Sequence, residues 1–426
     1  MEGIRICGGR PLRGSIQVPG AKNAVLPVLA ASILCRGPVT LENVPNLSDV
    51  AAAARILQAL GGRVSQPAPG RLRVLPPEQP GRAVPRRLMQ AMRSSLFFLA
   101  PVLSRTGQVQ VSLPGGCDLG ARPIDMHLHG LAAMGARFAQ DGQALLASAP
   151  GGLRGADITL RYPSVGATET LLMAAVCARG ETMIRGAAIE PEVTDLARFL
   201  QAAGACITGV GTRRLRVMGV QMLQGVRWRI CPDRIAAATV LCAAAACGGR
   251  VALTGAVPDH CTAVVRALCR AGCCVTATET GIALESDGRL RGIGALLTDV
   301  YPAFPTDAAP LLAAALLRAE GESAITDTVF ENRFACAAGF SALGAVAGIL
   351  GRTVTIRGVR GLHGAQLAAP DLRGGAALAI GALAAEGESL LTGVEHIDRG
   401  YEDLAGLFAG LGADTARVRR REAGAG

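Results

Sequence analysis

The sequence contains six copies of one helix ending, spaced about 70 residues apart. In three copies the apolar residues follow the spacing i, i+3, i+4, i+7, which places them on one face of a helix, and a glycine comes directly after the last of them. These copies are Ala53, Ile56, Leu57 and Leu60 before Gly61; Leu196, Phe199, Leu200 and Ala203 before Gly204; and Leu404, Leu407, Phe408 and Leu411 before Gly412. Related endings occur at Gly135, Gly272 and Gly344. Because glycine ends helices in the left-handed conformation, the pattern predicts six equivalent amphipathic helices.

A proline marks an earlier point in every copy, where a strand-like run turns into a helix rich in Ala and Leu. The six prolines are Pro19, Pro85, Pro163, Pro232, Pro305 and Pro370. Examples of the helices that follow are residues 235–246 and 308–317, and short β-like stretches such as Arg214–Met218 and Thr353–Arg357 come later in each copy. Each copy is therefore predicted to run strand, helix, strand, helix, strand, strand. Since the helices are more apolar than surface helices usually are, the predicted class is α/β, with buried helices surrounded by sheets.

The positions of the charged residues say more about the class of function than the net charge does. The formal net charge of the 426-residue chain is +10, but the arginines are scattered. The densest cluster, residues 417–421, has no interleaved aromatic residues, so nucleic acid is the weaker interpretation of the charge and an acidic small substrate the stronger one. The five histidines lack metal-ligand spacing, and neither a Walker loop nor a dinucleotide fingerprint is present. We therefore expect no metal, no cofactor and no nucleic-acid partner.

The sequence also predicts a cytoplasmic protein without a membrane anchor. The first residues lack the apolar segment of a signal peptide, and no stretch reaches about 18 uninterrupted apolar residues. The thirteen cysteines are an odd number and form no C-x-x-C pair, which is typical of free thiols in a reducing compartment.

Lys22 is the only lysine among 43 basic residues. A chain so biased toward arginine has lost lysine wherever the two are interchangeable, so Lys22 marks a position that needs a compact ammonium rather than a planar fork. It follows the turn of residues 18–21 and precedes an apolar run, where a helix N-terminus would receive an anion. The alternative is chance survival of one lysine.

The most polar and glycine-rich loop covers residues 113–123, of which five are glycine or proline. Its composition predicts a mobile, exposed segment. With Arg122 nearby, the thiolate of Cys117 would be favoured, so that Cys117 could act as a nucleophile or proton donor. An ordinary loop cysteine is the alternative.

Further charged residues lie at predicted helix starts or in polar turns. Aspartate or threonine at such places also serves as an N-cap, whereas a cap gains nothing from arginine. The segment from Ser164 to Thr168 offers a hydroxyl and backbone N–H groups suited to a phosphate. The other candidates are Arg93, Asp233, Arg234, Thr306, Asp307, Asp371, Arg373, Asp398 and Arg399.

Together, the motifs resemble those of the UDP-N-acetylglucosamine 1-carboxyvinyltransferase family, a branch of the enolpyruvyl transferases, in order along the whole chain. They are Pro-Gly-Ala-Lys-Asn at 19–23, Pro-Gly-Gly-Cys at 114–117, Gly-Ala-Arg-Pro at 120–123, Ser-Val-Gly-Ala-Thr at 164–168, Pro-Asp-Arg-Ile at 232–235, Phe-Pro-Thr-Asp at 304–307, Phe-Glu-Asn-Arg-Phe at 330–334, Asp-Leu-Arg at 371–373 and His-Ile-Asp-Arg-Gly-Tyr-Glu at 396–402. The resemblance implies two domains, each an inside-out α/β barrel of three βαβαββ copies, with the substrate cleft between them. Residues 22–231, with the cysteine loop, would form one domain, and residues 1–21 plus 232–426 the other.

The resemblance also implies a reaction. The enolpyruvyl group of phosphoenolpyruvate is transferred to the 3-hydroxyl of UDP-N-acetylglucosamine and phosphate is released, which begins peptidoglycan synthesis. Cys117 matches the acid catalyst and fosfomycin target, and Asp307 the base at the sugar hydroxyl. The matched phosphoenolpyruvate ligands are Lys22, Arg122 and Arg399, with Arg93 and Arg373 close by; Asn23 matches a sugar contact; and Arg122, Pro123, Ser164, Val165, Gly166 and Val329 match the nucleotide and diphosphate site.

Some positions depart from the family pattern and keep two alternatives open. Tyr162 stands where some members carry lysine, and Ala309 where glutamine is usual. One alternative is a low-activity or non-catalytic paralogue that binds the UDP-sugar. The other is the sister synthase that uses shikimate phosphate, against which the cysteine loop argues. The oligomeric state is left open.

Overall fold

The structure is a computed structural model that describes residues 2–112 and 124–419, apart from the side chains at positions 91 and 93. The chain divides into two compact units. Unit 1 contains residues 2–19 and 232–419, and unit 2 contains residues 20–112 and 124–231. Each unit has its own hydrophobic core, built mainly from Ala, Leu, Val and Ile. Each unit is therefore able to hold its own functional residues in place.

Fourteen α-helices occur in the described residues. They are α1 (Lys22–Ala31), α2 (Ser48–Ala59), α3 (Arg86–Ala91), α4 (Leu99–Thr106), α5 (Asp125–Ala133), α6 (Val165–Ala175), α7 (Pro191–Ala202), α8 (Arg234–Cys247), α9 (Thr262–Arg270), α10 (Ala309–Ala315), α11 (Ala337–Ala342), α12 (Leu372–Ala384), α13 (Val394–Ile397) and α14 (Leu404–Ala409). Short 3₁₀ helices cover Ser32–Leu34, Arg93–Phe98, Pro258–Cys261, Thr306–Ala308 and Leu316–Arg318.

Twenty-five strands accompany these helices in the described part of the chain. They are β1 (Glu2–Cys7), β2 (Leu12–Gln17), β3 (Cys35–Arg36), β4 (Val39–Glu42), β5 (Arg63–Ala68), β6 (Arg71–Leu75), β7 (Gln108–Ser112), β8 (Arg137–Asp141), β9 (Ala144–Ser148), β10 (Asp157–Thr159), β11 (Glu181–Arg185), β12 (Cys206–Thr208), β13 (Arg214–Met218), β14 (Leu223–Gln224), β15 (Arg227–Arg229), β16 (Gly249–Thr254), β17 (Cys274–Thr278), β18 (Gly281–Ser286), β19 (Gly294–Leu297), β20 (Glu322–Thr326), β21 (Val346–Leu350), β22 (Thr353–Arg357), β23 (Gln366–Ala368), β24 (Glu388–Thr392) and β25 (Asp414–Arg419).

The copy with β10, α6, β11, α7, β12 and β13 shows the repeat most simply. Its sheet has the order β10-β11-β13-β12, with β10 parallel to β11 and the other two pairs antiparallel. The same pattern holds in the sheets β15-β4-β6-β5, β2-β16-β18-β17, β19-β20-β22-β21 and β23-β24-β1-β25. In the three-stranded sheet β7-β9-β8, an isolated parallel bridge from Ala83 to Gln110 takes the place of the first strand, and β14 forms a separate two-stranded parallel sheet with β3. The predicted βαβαββ repeat is confirmed.

Three sheets obtain a strand from a distant part of the chain. In unit 1, β1 pairs with β24 and β25, and β2 pairs with β16. In unit 2, β15 pairs with β4, which lies almost 190 residues earlier. These pairings complete the first and last copies of unit 1 and the first copy of unit 2, so sheet hydrogen bonds join segments that are far apart in the chain.

The first helix of each copy is buried, as the sequence predicts. Residues 235–246 of α8 and 373–384 of α12 are buried throughout. By contrast, the second helix α9 buries only Val264, Ala267 and Leu268, which is one stripe. In the described residues the sheets are separate from one another, so the central helices are covered by several sheets rather than by one continuous barrel sheet. The α/β class with buried helices inside sheets is confirmed.

The six repeat glycines all adopt the left-handed conformation. Their φ angles run from 88° at Gly344 and Gly412 to 109° at Gly272. The predicted glycine ending is therefore confirmed in every copy, because an L side chain at these positions would be strained.

No helix in the described residues is long and apolar enough to span a membrane. The twelve cysteines of these residues are all free thiols. Burial raises the pKa of Cys35 to about 12 and that of Cys177 to about 11, so these two thiols are not reactive nucleophiles at neutral pH.

Candidate functional site

Lys22 is the first residue of α1 and forms a nearly buried ion pair in unit 2. Its Nζ lies 2.7 Å from Oδ2 of Asp49, and the two side chains are 11% and 6% exposed. The preceding turn is held tightly, since a Cβ at Gly20 would lie 1.7 Å from the carbonyl oxygen of Asn43. Only glycine fits there, which explains the Pro-Gly-Ala-Lys sequence locally. Asn23, the next residue, is exposed at the same helix start.

The helix start at α6, also in unit 2, is capped by a neutral side chain. Ser164 is the N-cap and its Oγ accepts a hydrogen bond from the N–H of Ala167 at 3.3 Å. Gly166 lies against His127, because a Cβ at this position would approach the imidazole Cε1 to 3.1 Å. His127 is buried and its Nδ1 lies 2.9 Å from the hydroxyl of Thr170, so this histidine supports the helix start from within the unit. Val165 completes the predicted segment at the first position of α6.

The structure of unit 1 brings Asp307 together with two buried arginines. Oδ1 of Asp307 accepts a hydrogen bond from Nη2 of Arg333 at 3.0 Å, and Oδ2 accepts from Nη2 of Arg373 at 3.0 Å. The side chains of Arg333 and Arg373 are 2% and 6% exposed, whereas that of Asp307 is 28% exposed. The carboxylate is therefore held between two guanidinium groups while part of it stays accessible.

Asp327 fixes the far side of this cluster. It is fully buried, accepts a hydrogen bond from the hydroxyl of Thr306, and lies 3.9 Å from Nε of Arg333. Its Oδ1 also accepts the backbone N–H of Val329 at 2.8 Å. Val329, one of the predicted nucleotide contacts, is 45% exposed, so Asp327 links the predicted base to a surface residue through a rigid turn.

Arg373 is the second residue of α12 and is held from several directions. Burial by itself lowers the pKa of Arg373, but the charges of Asp307, Tyr401 and Asp233 outweigh it and raise this pKa above its usual value. Arg373 therefore remains a cation. The α12 start itself is capped by Asp371, whose Oδ1 accepts the backbone N–H groups of residues 373 and 374 at 2.9 Å each.

The turn that carries Arg399 packs on the same end of α12. A Cβ at Gly400 would lie 2.6 Å from Cδ2 of Leu372, the residue before Arg373, so any larger residue would have to displace this leucine side chain. Arg399 is partly buried in this turn, directly after α13. Unit 1 thus gathers Asp307, Arg373 and the Arg399 turn around one helix start.

Four of the predicted residues cannot be placed. Cys117, Arg122 and Pro123 lie outside the described residues, and so does the side chain of Arg93. Three residues were missed by the sequence analysis: Asp49 beside Lys22, Arg333 beside Asp307, and Asp327 beside Arg333 and Thr306. Arg333 lies in the Phe-Glu-Asn-Arg-Phe motif, which could have indicated it; Asp49 and Asp327 carry no such signal.

One cavity in the described residues lies on the three-stranded sheet β7-β9-β8 and measures about 320 Å³. It is lined by residues that include Arg82, Gln110, Arg137, Phe138 and Leu146, and none of its lining residues is a predicted site residue. This cavity is therefore separate from the residues that carry the family motifs.

Comparison with known proteins decides the family. A family model described as EPSP synthase (3-phosphoshikimate 1-carboxyvinyltransferase) matches residues 6–407. A UDP-N-acetylglucosamine 1-carboxyvinyltransferase of Shewanella denitrificans is 44% identical over 98% of this chain and 100% of its own length, and one of Acidiphilium cryptum is 44% identical with the same coverage. The chain belongs to the UDP-N-acetylglucosamine 1-carboxyvinyltransferase family. The resemblance inferred from the motifs is confirmed.

Solved structures agree with this family and with its fold. The enolpyruvyl transferase NikO from Streptomyces tendae matches with a TM-score of 0.88 and 25% identity, over 99% of both chains. EPSP synthase from Acinetobacter baumannii matches with a TM-score of 0.77 and 19% identity, over 98% of this chain and 100% of its own. At that identity the second match shows the shared fold alone.

The two departures from the motif pattern of UDP-N-acetylglucosamine 1-carboxyvinyltransferases lie in different environments. Tyr162 is 50% exposed in the turn before α6, whereas Ala309 is fully buried at the start of α10. A buried alanine at this position packs into the core of unit 1. The departure at position 309 is therefore accommodated within the fold.

Proposed function

We propose that this chain transfers the enolpyruvyl group of phosphoenolpyruvate to the 3-hydroxyl of UDP-N-acetylglucosamine and releases phosphate. The observation that carries the proposal is the identity of 44% with enzymes of that name over their whole length. The reaction would be the first committed step of peptidoglycan synthesis, and so would serve cell-wall formation, cell shape and division. Since the free thiols suit a reducing compartment, we place the reaction in the cytoplasm.

The chemistry requires an addition followed by an elimination. The sugar hydroxyl oxygen bonds to C2 of phosphoenolpyruvate while its methylene carbon receives a proton, which gives a tetrahedral intermediate. Loss of phosphate from C2 and of a proton from the methyl group then restores the enol double bond. One group must deliver a proton to carbon and another must accept a proton from the hydroxyl. We assign the first role to Cys117 and the second to Asp307.

The cationic residues bind the substrate anions in this proposal. Phosphoenolpyruvate carries a carboxylate and a phosphate, which are recognised best by charge-assisted hydrogen bonds. We assign this role to Lys22, Arg122 and Arg399, with Arg93 and Arg373 contributing. Asn23 would contact the sugar, and Arg122, Pro123, Ser164, Val165, Gly166 and Val329 the nucleotide and diphosphate. Residues 22–231 and 1–21 plus 232–426 would act as the two domains that supply these groups.

Asp307 is suited to its role by its accessible carboxylate and fixed position. Two guanidinium groups hold it, so it needs no reorganisation to meet a hydroxyl. The low-activity paralogue is not favoured, because the relatives named for the transferase match the chain from end to end. The motif residues Lys22, Cys117, Asp307 and Arg399 are also all present.

The deciding experiment measures phosphate release from phosphoenolpyruvate with UDP-N-acetylglucosamine or shikimate 3-phosphate as the acceptor, each with and without fosfomycin. Release only with the UDP-sugar, blocked by fosfomycin, supports the proposal and the role of Cys117 as the fosfomycin target. Release with shikimate 3-phosphate instead would replace it by the sister reaction. No release with either acceptor from folded protein would favour the non-catalytic paralogue.

Cys117→Asp tests the assignment of the thiol within the same assay. A carboxyl group can still deliver a proton but offers no thiolate for alkylation. We expect phosphate release to continue and fosfomycin inactivation to disappear. If the variant were still inactivated, the thiol would not be the target.

A further inference from the structure

The ion pair between Lys22 and Asp49 joins two helix starts in unit 2. Lys22 is the first residue of α1, and Asp49 is the second residue of α2. The contact between Nζ and Oδ2 measures 2.7 Å, and both side chains are largely withdrawn from water. A pair this short and buried fixes the position of the ammonium group.

The charge at the start of each helix favours one partner of the pair and disfavours the other. The N-terminus of a helix carries partial positive charge, which favours a carboxylate and disfavours a cation. Asp49 is therefore stabilised by α2, whereas Lys22 opposes α1, whose N-cap residue Ala21 makes no side-chain cap. Asp49 is the group that makes a buried cation tolerable at this helix start.

The chemistry of the pair separates lysine from arginine. An ammonium has three N–H donors, and contact with one carboxylate oxygen uses one and sets the direction of the other two. A guanidinium prefers to place two donors on one carboxylate. Arginines of this chain do so, since Nε and Nη2 of Arg185 bind the two oxygens of Asp157 at 2.9 and 2.8 Å. An arginine at position 22 would be drawn onto Asp49 in the same manner.

We propose that Asp49 is a positioning residue that holds the Lys22 ammonium in a fixed orientation toward the phosphoenolpyruvate anion and thereby makes lysine necessary at position 22. The inference rests on the proposed function, in which Lys22 binds that anion. It also explains why one lysine remains in a chain whose other 42 basic residues are arginine.

The kinetic test compares wild type, Lys22→Arg, Asp49→Asn and the double variant, with each substrate varied in turn. Lys22→Arg should lose at least about 100-fold in kcat/KM for phosphoenolpyruvate, as expected for a misplaced charge donor. Asp49→Asn should raise KM for phosphoenolpyruvate about 10-fold and leave KM for the UDP-sugar unchanged. In the Lys22→Arg variant, the additional change Asp49→Asn should instead raise activity about 10-fold, because the guanidinium at position 22 is then no longer held by a carboxylate.

This reversal of sign distinguishes positioning from a merely structural role. If Asp49→Asn lowered activity in both backgrounds, or changed both KM values equally, the proposal would be overturned. Asp195→Asn is the matched control, since Asp195 is a comparably buried aspartate of the same unit and should leave both KM values unchanged. If the asparagine variant fails to fold, Asp49→Glu takes its place. The longer side chain keeps the charge but displaces the ammonium of Lys22. A kcat/KM for phosphoenolpyruvate equal to that of wild type would then contradict the proposal.

A binding measurement separates this inference from the proposed function. Because Lys22 is the only lysine, protein labelled with carbon-13 at the lysine ε position gives one side-chain signal in an NMR spectrum. Titration with phosphoenolpyruvate should shift that signal, and half-saturation should need about 10-fold more ligand in Asp49→Asn. An unresponsive signal would overturn the inference whether or not the wild type turns over. A responsive signal without phosphate release would support it and reject only the catalytic proposal.

Discussion

The carboxyl groups of Asp307 and Asp371 in unit 1 and of Glu169 in unit 2 are compensated in different ways. In unit 1, Asp307 accepts hydrogen bonds from two arginines, and Asp371 caps α12 through two backbone N–H groups. In unit 2, both carboxylate oxygens of Glu169, inside α6, lack a hydrogen-bond partner among the described residues. Burial, with help from Glu192 and Glu190, raises the pKa of Glu169 well above its usual value. The two carboxylates of unit 1 therefore have hydrogen-bond donors around them, whereas burial disfavours charge on Glu169 in unit 2.

The helix starts show the same contrast. The central helices α8 and α12 of unit 1 begin with aspartate caps, which neutralise the positive helix end. In unit 2, α1 has no side-chain cap and α6 has the neutral cap Ser164. A helix start without an anionic cap remains available to a substrate anion. The repeat thus fixes the same backbone in both units, and the side chains at the helix starts give each unit a different electrostatic character.

Removal of the Asp307 carboxylate in unit 1 should have the largest effect on stability and on turnover. Asp307→Ala leaves Arg333 and Arg373 buried without their carboxylate, so we expect the free energy of unfolding to fall by about 3–5 kcal/mol. Turnover should fall by about 10²–10⁴-fold if Asp307 is the base. Denaturant unfolding and phosphate release measure the two effects.

The matched control is Asp157→Ala in unit 2, which removes an aspartate from an exposed pair with Arg185. That variant should lose far less stability, because an ion pair in contact with water contributes little to folding. Equal losses in the two variants would show that burial does not distinguish the pairs.

Removal of the Glu169 carboxyl group, which has no hydrogen-bond partner among the described residues, should make the protein more stable. Glu169→Met replaces a buried polar group by an apolar side chain of similar volume, so we expect the protein to become more stable at pH 8 by about 1–3 kcal/mol. At pH 5 the gain should be smaller, because the native carboxyl is then more readily protonated. Denaturant titrations at both pH values provide the check.

Glu169→Gln is the companion variant, since it stays polar and cannot ionise. It should gain less stability than Glu169→Met, and the difference between the two variants should be the same at both pH values, because neither has a titratable group at position 169. A loss of stability in Glu169→Met at pH 8 would mean that this carboxylate is compensated in the folded state, and the contrast between the units would fail.

Asp195 of unit 2 should add a pH dependence of stability below neutrality. Burial raises the pKa of Asp195 from 3.8 to about 6, although Trp228 donates a hydrogen bond to its carboxylate at 3.4 Å. Because the folded state holds this proton more tightly than the unfolded state, the stabilisation is complete below about pH 4 and is lost as the pH rises through about 6. The change should amount to about 1–3 kcal/mol.

The measurement is the difference in unfolding free energy between wild type and Asp195→Asn from pH 4 to pH 7. The asparagine keeps an acceptor for Trp228 and removes the titration. A difference that stays constant over this range would place the Asp195 pKa near that of an exposed aspartate.

The helix caps should give the smallest difference between the units. Asp371→Ala removes an anionic cap with two short hydrogen bonds, and we expect a loss of about 2 kcal/mol. Ser164→Ala removes one longer hydrogen bond from a neutral cap, with an expected loss of about 0.5 kcal/mol. Thermal and denaturant unfolding of both variants measure the values. A larger loss for Ser164→Ala would reverse the order of the two caps.

The repeated backbone could be predicted because its signals are local. Gly61 and the five equivalent glycines follow an apolar stripe directly, and the strand–helix junctions carry prolines, so each element is specified by neighbours in sequence. The predicted strands Arg214–Met218 and Thr353–Arg357 agree with β13 and β22 in their bounds. The exchange of strands was not predictable, since nothing near Arg227–Arg229 specifies pairing with β4.

The candidate site was predictable to the extent that its residues stand in motifs. Lys22, Asp307 and Arg373 were found from the sequence, and the structure gives each of them an ion-pair partner. Those partners, Asp49 and Arg333, were not selected. A motif indicates which residue types a reaction needs, whereas an ion pair depends on which helix starts meet in space.

By itself, the sequence determined the six-copy repeat, the buried helices, the family and the single position that keeps a lysine. These properties follow from short-range periodicity and from the chemistry of individual residue types. Only the tertiary structure decided that Asp49 holds Lys22, that Arg333 and Arg373 share Asp307, and that Glu169 is buried without a hydrogen-bond partner in the described part of the chain. The physical reason is that charge compensation depends on distance and burial, and both are set by the packing of elements far apart in the chain.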